Sequence, residues 1–67
     1  MDVRQFFWAQ QLAHGVFVEY DNDNQVAYVC CPDAAVALML ARLGDRLRPV
    51  LGDFTPVFCY GAARERV

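Results

Sequence analysis

The sequence lacks several residue types on which common enzyme chemistry depends. It contains no lysine, no serine and no isoleucine, with a single threonine and a single histidine, His14. The absence of serine and lysine excludes serine hydrolysis, lysine Schiff bases and the lysine of a phosphate-binding loop. Cysteine and His14 are therefore the remaining candidates for nucleophilic or acid–base chemistry.

Clustered positive charge is also missing. Six arginines stand against eight acidic residues, the net charge is −2, and no basic run occurs. Nucleic-acid binders carry basic patches that contact phosphates, so we expect no direct nucleic-acid binding. The longest uncharged stretch is far shorter than the roughly 20 residues of a membrane helix, and no export signal is recognisable. We therefore expect no contact with a membrane.

Cysteine is scarce and unfavourably spaced for a disulfide framework. The three cysteines are Cys30, Cys31 and Cys59, an odd number with two adjacent members. This pattern is typical of a reducing compartment and predicts a cytoplasmic protein. Structural zinc sites use pairs such as C-x2-C, whereas adjacent cysteines in a strand point to opposite faces. We therefore expect buried thiols, no metal and no cofactor.

The chain is short and rich in hydrophobic residues. A chain of 67 residues forms one domain, residues 1–67, which buries roughly 60% of its unfolded surface. Hydrophobic residues make up 57% of the sequence, above the roughly 45–50% of an average soluble domain. Either the core is unusually dense or part of the apolar surface contacts a partner.

The first half of the chain predicts a helix and a β-hairpin. Residues 2–14 contain no Gly or Pro, begin with an acidic residue and end before Gly15, which suits a helix C-terminus. Residues 16–20 and 26–31 are rich in β-branched and aromatic residues and flank the turn-forming residues 21–24. The turn contains no Gly, so we expect Asn or Asp at any position of positive φ.

The second half predicts one helix and one strand. Pro32 and Asp33 suit a first helical turn after Cys31 as the N-cap, and the apolar spacing extends the helix to about residue 47, before Pro49. Residues 49–55 are read as a loop, 56–60 as a strand and 61–67 as a frayed tail. The prediction is a small α+β domain in the order α-β-β-α-β, with two helices on a three-stranded sheet. The expected core residues are Val18, Tyr28, Val29, Val36, Met39, Leu40, Leu43 and Phe58.

Both faces of this sheet are expected to be apolar. Alternation places Val16, Val18, Tyr20, Val26, Tyr28, Cys30, Val57 and Cys59 on one face and Phe17, Ala27, Val29, Cys31, Phe58 and Tyr60 on the other, with Glu19 the only charge. A half-exposed antiparallel sheet normally alternates apolar with polar residues. Helices therefore cover both faces, or a partner or a second copy covers one.

Two local patterns suggest chemistry and fail on inspection. Cys31 at a helix N-terminus would have a favoured thiolate, but the only histidine, His14, lies on another element. The acidic turn at residues 21–24 resembles the start of a calcium loop, yet Val26 and Pro32 occupy the positions that require Gly and Glu. We therefore predict no catalytic residues and no enzyme.

The remaining functional indication in the sequence is a set of residues expected to be exposed and to contact a partner. Phe6, Phe7 and Trp8 fan across roughly 200° of a helix, so one of them should stay outside the core. Residues 34–41 of the second predicted helix include no polar residue, so either this helix is buried on two sides or Leu38 and its small neighbours Ala34, Ala37 and Ala41 contact something outside the chain. The predicted partner-binding residues are Phe6, Phe7, Trp8, Glu19, Asp21, Asp23, Leu38, Arg42 and Arg46.

These features predict a small non-catalytic protein-binding module whose partner is another protein. Phage and mobile elements carry many such small proteins as inhibitors of host defence enzyme complexes, anti-CRISPR proteins among them. The alternatives are a homodimeric small-molecule-binding protein and a small structural subunit of a larger assembly. A structural subunit would show the same surplus of apolar residues as a protein-binding module, so the sequence does not separate these two.

Overall fold

A computed structural model describes residues 2–67 as a layer of helices on a four-stranded sheet, which confirms the α+β class. The elements are α1 (Val3–His14), β1 (Phe17–Asp21), β2 (Val26–Cys31), α2 (Ala34–Ala41), a 3-10 helix (Gly44–Leu47), α3 (Arg48–Leu51), β3 (Thr55–Tyr60) and β4 (Glu65–Arg66).

Helix α1 has well-defined signals at both ends. The Asp2 carboxylate accepts a hydrogen bond from the backbone N–H of Gln5 at 2.9 Å, and the Gln5 side chain accepts one from the N–H of Asp2. This reciprocal pair satisfies two helix-terminal donors that would otherwise be unpaired. Gly15 ends the helix in the left-handed conformation with φ 68°. The expected helix at residues 2–14 is thus confirmed to within one residue.

The strands form one mixed sheet in the order β1-β2-β3-β4. Strands β1 and β2 form the expected antiparallel hairpin. Strands β2 and β3 are parallel and are connected by a segment that contains α2, whereas β3 and β4 are antiparallel. Register pairs include Val18 with Val29 and Cys30 with Cys59. At the hairpin turn, Gln25 has positive φ (55°), so the expectation of Asn or Asp there is wrong.

The helices cover one face of the sheet. Val16 on the approach to β1 and Ala27, Val29 and Cys31 on β2 belong to the buried core. Helical members of the same core are Phe7, Val36, Ala37, Leu40, Leu47 and Leu51, and Val18, Phe58 and Tyr60 pack against it. The opposite face, here called the open face, carries Phe17, Glu19, Asp21, Val26, Tyr28, Cys30, Val57 and Cys59.

This register corrects the expected division of the sheet into faces. The four residues between Asp21 and Val26 place odd-numbered residues of β2 opposite even-numbered residues of β1. Val16, Val18 and Tyr20 therefore share the helix-covered face with Ala27 and Val29, instead of lying with Val26 and Tyr28. Side chains of a strand alternate between the two faces of the sheet. One residue more or less in the hairpin loop therefore moves every side chain of β2 to the opposite face relative to β1.

The second helix is shorter than expected. It ends at Ala41, and Gly44 then adopts a left-handed conformation with φ 53°, which a continuous helix does not permit. Pro49 does not stop a helix but lies in the first turn of α3, where no N–H is needed. Residues 48–51 are thus helical and not part of a loop.

Three further expectations are wrong. The N-cap of α2 is Asp33, whose carboxylate accepts a hydrogen bond from the N–H of Val36 at 3.0 Å, whereas Cys31 ends β2. Met39 is exposed, and Tyr28 is only partly buried on the open face, so neither belongs to the core. Val29, Val36 and Leu40 are buried, and Val18, Leu43 and Phe58 pack against the core.

The expected frayed tail forms a fourth strand. Glu65 and Arg66 pair with Tyr60 and Cys59, and the N–H of Val67 donates to the carbonyl of Phe58 at 3.1 Å. The sheet therefore has four strands where three were expected.

Candidate protein-binding surfaces

The outer side of α1 exposes two large apolar side chains one turn apart. Trp8 is 63% exposed and Leu12 is 69% exposed. Arg4, one turn before Trp8, and Gln5 are also exposed on this side. These four residues, Arg4, Gln5, Trp8 and Leu12, are called the α1 surface below. It combines an aromatic, an aliphatic and a cationic group on a capped helix.

The structure separates the three consecutive aromatic residues of α1. Phe7 is 2% exposed and belongs to the core, so it is not a partner-contact residue. Phe6 is partly buried and lines a shallow depression with Leu43 and Arg46. Trp8 points away from both and is the aromatic that remains outside the core.

Other exposed side chains of the helical layer form a separate area. Leu38 is 45% exposed on α2, and Met39 beside it is also exposed. Arg42 follows Leu38 by one helical turn at the C-cap of α2. Arg46 lies in the 3-10 helix, beside the depression that Phe6 lines. The predicted residues Leu38 and Arg42 thus share one side of α2.

The predicted acidic patch is divided between two places. Asp23 is exposed at the hairpin turn, and Asp21 accepts hydrogen bonds from the backbone N–H and the side-chain amide of Asn24 at 3.2 and 2.8 Å. Those bonds to Asn24 lower the pKa of Asp21. Glu19 lies on the open face and forms an ion pair with Arg64, so its charge is compensated within the chain.

That ion pair spans the open face. The guanidinium of Arg64 donates two hydrogen bonds to the Glu19 carboxylate, at 2.7 and 2.8 Å. Glu19 is on β1, at one edge of the sheet, and Arg64 precedes β4, at the other edge. The hydrogen bonds and charge of Arg64 lower the pKa of Glu19. Arg64 was not predicted as a site residue, because its position beside Glu19 depends on the pairing of the two-residue strand β4 that follows it.

The centre of the open face is mostly apolar. Phe17 is 49% exposed, and Val26, Tyr28 and Val57 are partly buried. Cys30 and Cys59 lie between them and are buried. A shallow depression of about 190 Å³ on this face is lined by Glu19, Tyr28, Cys59, Arg64 and Arg66.

The candidate nucleophile Cys31 occupies the core. It is 6% exposed and its thiol donates to the carbonyl of Val29 at 3.7 Å. Burial raises the pKa of Cys31 to about 11, which disfavours the thiolate that the proposed helix N-terminus was expected to favour. His14 is exposed in the last turn of α1.

Residues 2–67 contain neither a group of metal ligands nor a helix suited to a membrane. Within that range no three His, Cys, Asp or Glu side chains are grouped so that they could hold a metal ion. None of the helices in the same range has the length and apolar character needed to cross a membrane.

Comparisons of the chain with protein-family models, with curated protein sequences and with solved structures give no match.

Proposed function

We propose that this chain is a small non-catalytic protein-binding module and that the α1 surface makes the central contact. The exposure of Trp8 and Leu12 on one side of α1 is the observation that carries the proposal. Both are large apolar groups that gain free energy when a partner removes them from water. Their helix is capped at both ends, so the surface is ordered before binding and loses little conformational entropy.

The composition of the α1 surface is that of an interface centre. Tryptophan and arginine are the residue types most enriched among those that dominate binding energy, and they are typically surrounded by near-neutral polar contacts. Arg4 and Gln5 supply the polar surroundings of Trp8 and Leu12. The partner that fits is a folded protein with an apolar pocket for the indole and a carboxylate that pairs with Arg4.

The narrower proposal is that the partner is a host defence enzyme complex, which the module inhibits by occupying a functional surface. A single small domain with a preformed apolar helix face suits steric blocking, as in phage-borne or mobile-element-borne inhibitors of the anti-CRISPR kind. The cysteine pattern, without a disulfide framework, favours action in the cytoplasm.

The test compares Trp8→Ala and Leu12→Ala on the α1 surface with Leu38→Ala on α2, which lies on the competing exposed surface that the sequence predicted as a contact. Each variant is first checked by thermal unfolding and then assayed for retention of host proteins from an extract and for inhibition of the retained enzyme. We expect Trp8→Ala to weaken binding by about 2 kcal/mol or more, roughly 30-fold, with Leu38→Ala near wild type. Equal binding by all variants that remain folded would refute the α1 surface as the contact.

A homodimer is the second candidate, because the open face presents Phe17, Val26, Tyr28 and Val57 without a covering helix. Such a dimer could enclose a small-molecule pocket between two open faces. Light scattering distinguishes the two candidates, since the monomer has a mass of 7.6 kDa. A dimer that Phe17→Glu dissociates and Trp8→Ala leaves intact would support the second candidate. A structural subunit of a larger assembly would also bind its partner through the α1 surface. The inhibition assay distinguishes it from an inhibitor, because a structural subunit binds without inhibiting an enzyme.

A further inference from the structure

Two cysteines that are distant in sequence lie side by side on the open face. Cys30 on β2 and Cys59 on β3 are register partners in adjacent parallel strands. The Cys59 thiol donates to the Cys30 sulfur at a Sγ–Sγ distance of 3.7 Å and lies 3.6 Å from the carbonyl of Val29. Register partners in neighbouring strands have Cα atoms roughly 4.8 Å apart, which is within the range that disulfides span. The sulfurs need to approach by about 1.7 Å to reach bonding distance.

The pair is covered without being part of the core. Both thiols are buried, at 6% and 3% exposure, although no helix packs on the open face. Side chains surround them on this face: the ion-paired Glu19 and Arg64 line a depression together with Cys59, and the charges of both act on the Cys30 thiol. Side chains on a sheet surface move far more readily than a packed helix, so opening of this ion pair offers a route to the thiols.

We propose that Cys30 and Cys59 form a reversible dithiol–disulfide couple whose access is controlled by the Glu19–Arg64 ion pair. The oxidant is a low-molecular-weight disulfide such as oxidised glutathione. One protein thiol loses its proton to solvent and its thiolate attacks a sulfur of that disulfide, which releases one small thiolate. The second protein thiolate then attacks the mixed disulfide and releases the other. Two electrons pass from the protein to the small disulfide, and two small thiols are formed after protonation.

Cys31 provides an internal contrast. It neighbours Cys30 in sequence, but its side chain points to the helix-covered face and belongs to the core. Successive side chains of a strand lie on opposite faces, so Cys31 cannot reach Cys59 or Cys30 while the sheet is intact. Oxidation of the folded protein should therefore select one of the three possible cysteine pairs.

The local environment slows the reaction of the Cys30 thiol at neutral pH. Burial and the hydrogen bond with Cys59 raise the pKa of Cys30, so a smaller fraction of it is present as the reactive thiolate. The charged and titratable groups facing the pair are Glu19 from β1, Tyr28 from β2, and Arg64 and Arg66 from the segment around β4. Because both thiols are also buried, we expect the couple to respond to sustained oxidation and not to brief exposure.

The experiment incubates the wild-type protein with oxidised glutathione, once folded and once in denaturant, and then alkylates the remaining thiols. We expect the folded protein to lose two hydrogens in mass and to retain one alkylatable cysteine. Cleavage after arginine places Cys30 and Cys31 in residues 5–42 and Cys59 in residues 47–64, because the bond before Pro49 resists cleavage. Fragmentation of the linked peptides identifies the pair, and the same product in Cys31→Ala confirms it.

A mixture of pairs in the folded protein equal to that in denaturant would overturn the proposal, as would a folded protein that gains only glutathione adducts. These two readouts use the wild-type chain, so they do not depend on whether Cys30→Ala or Cys59→Ala folds. They are also independent of partner binding through the α1 surface.

The role of the ion pair is tested with Glu19→Ala and Arg64→Ala, and with Arg48→Ala as the control, because Arg48 forms an exposed ion pair with Asp45 on the helical layer. Either of the first two changes breaks the Glu19–Arg64 pair, so we expect both to speed oxidation several-fold while Arg48→Ala does not. A purely electrostatic effect would act in opposite directions, since the Glu19 charge raises the pKa of Cys30 and the Arg64 charge lowers it. Opposite effects of the two variants, or no effect, would refute control of access by the ion pair.

Discussion

Two leucines of α2 allow a matched test of how the helical layer sits on the sheet. Leu38 is 45% exposed and Leu40 is fully buried, although both lie in the same apolar helix. The substitution to alanine is identical at both positions and changes helix propensity equally. Any difference between Leu38→Ala and Leu40→Ala therefore reports the burial of the two side chains.

The expected magnitudes differ enough to decide the matter. Leu40→Ala removes a fully packed side chain and leaves a cavity, which costs about 2–5 kcal/mol. A domain of this size has a total stability of roughly 3–10 kcal/mol, so the middle of both ranges corresponds to a loss of about half of it. Leu38→Ala forfeits only partial burial and opens no closed cavity, for a cost of about 1 kcal/mol or less. The melting temperature should fall by roughly 10 °C or more for Leu40→Ala and by about 5 °C or less for Leu38→Ala.

The assay is urea and thermal unfolding followed by circular dichroism at 222 nm, which reports the helices. Trp8 fluorescence is a poor probe here because the indole is already exposed in the folded state. Equal losses at the two positions, or a larger loss at Leu38, would show that α2 is rotated relative to the sheet. The division of the chain into a core and exposed surfaces would then be incorrect.

Two further predictions concern single hydrogen-bonding groups. Arg64 holds the pKa of Glu19 below its ordinary value near 4.5, so the pair stabilises the fold above that value and ceases to do so as the pH falls through the lowered pKa. Arg64→Ala should therefore lower the urea midpoint at pH 7 and match wild type near about pH 2, and a constant difference would contradict this. Asp33→Ala should cost about 1 kcal/mol through loss of the helix cap, while Asp33→Asn should cost little. Equal urea midpoints for these two variants would contradict the cap.

The elements that could be predicted from the sequence, helix α1 and the β-hairpin, are those determined by residues close together in the chain. Helix α1 begins at the Asp2 cap and ends at Gly15, and both residue types favour those positions in any helix. The hairpin follows from two β-rich segments around a polar turn. These signals act within a few residues, so they can be recognised without knowledge of the rest of the chain.

The errors have causes that act over longer distances or between competing local signals. Strand β4 has two residues of low β-propensity, Glu65 and Arg66, and exists because β3 offers an unpaired edge. The sequence favoured Cys31 as the N-cap of α2 and Asp33 in its first turn, but the register of β2 with β3 extends the strand to Cys31 and the cap is Asp33. Met39 fitted the apolar spacing of α2, but Ala37 packs into the core beside Val36 and Leu40 while Met39 is exposed, and spacing alone does not distinguish these two neighbours of the apolar stripe.

The same comparison shows how much of the candidate surface was predictable. The crowding of three aromatics on α1 indicated that one would be exposed, yet it did not show that Phe7 is the most deeply buried or that Trp8 is outermost. Leu12 was not identified at all. The signal available for it was its spacing of four residues from Trp8, which places both on one side of a helix.

The apolar surplus of the sequence can now be divided between the two faces of the fold, and the division favours the α1 surface over the open face as the site of partner binding. The open face already carries charged groups from within the chain, because the ion-paired Glu19 and Arg64 line a depression together with Arg66 and Cys59. A partner seated there would have to displace a bidentate ion pair before it gained apolar contact, and that loss offsets part of the gain. No such cost applies at Trp8 and Leu12, whose apolar area is exposed on a preformed helix. A partner therefore gains more binding free energy per unit area on α1, while the open face is better suited to protecting a reactive pair of thiols.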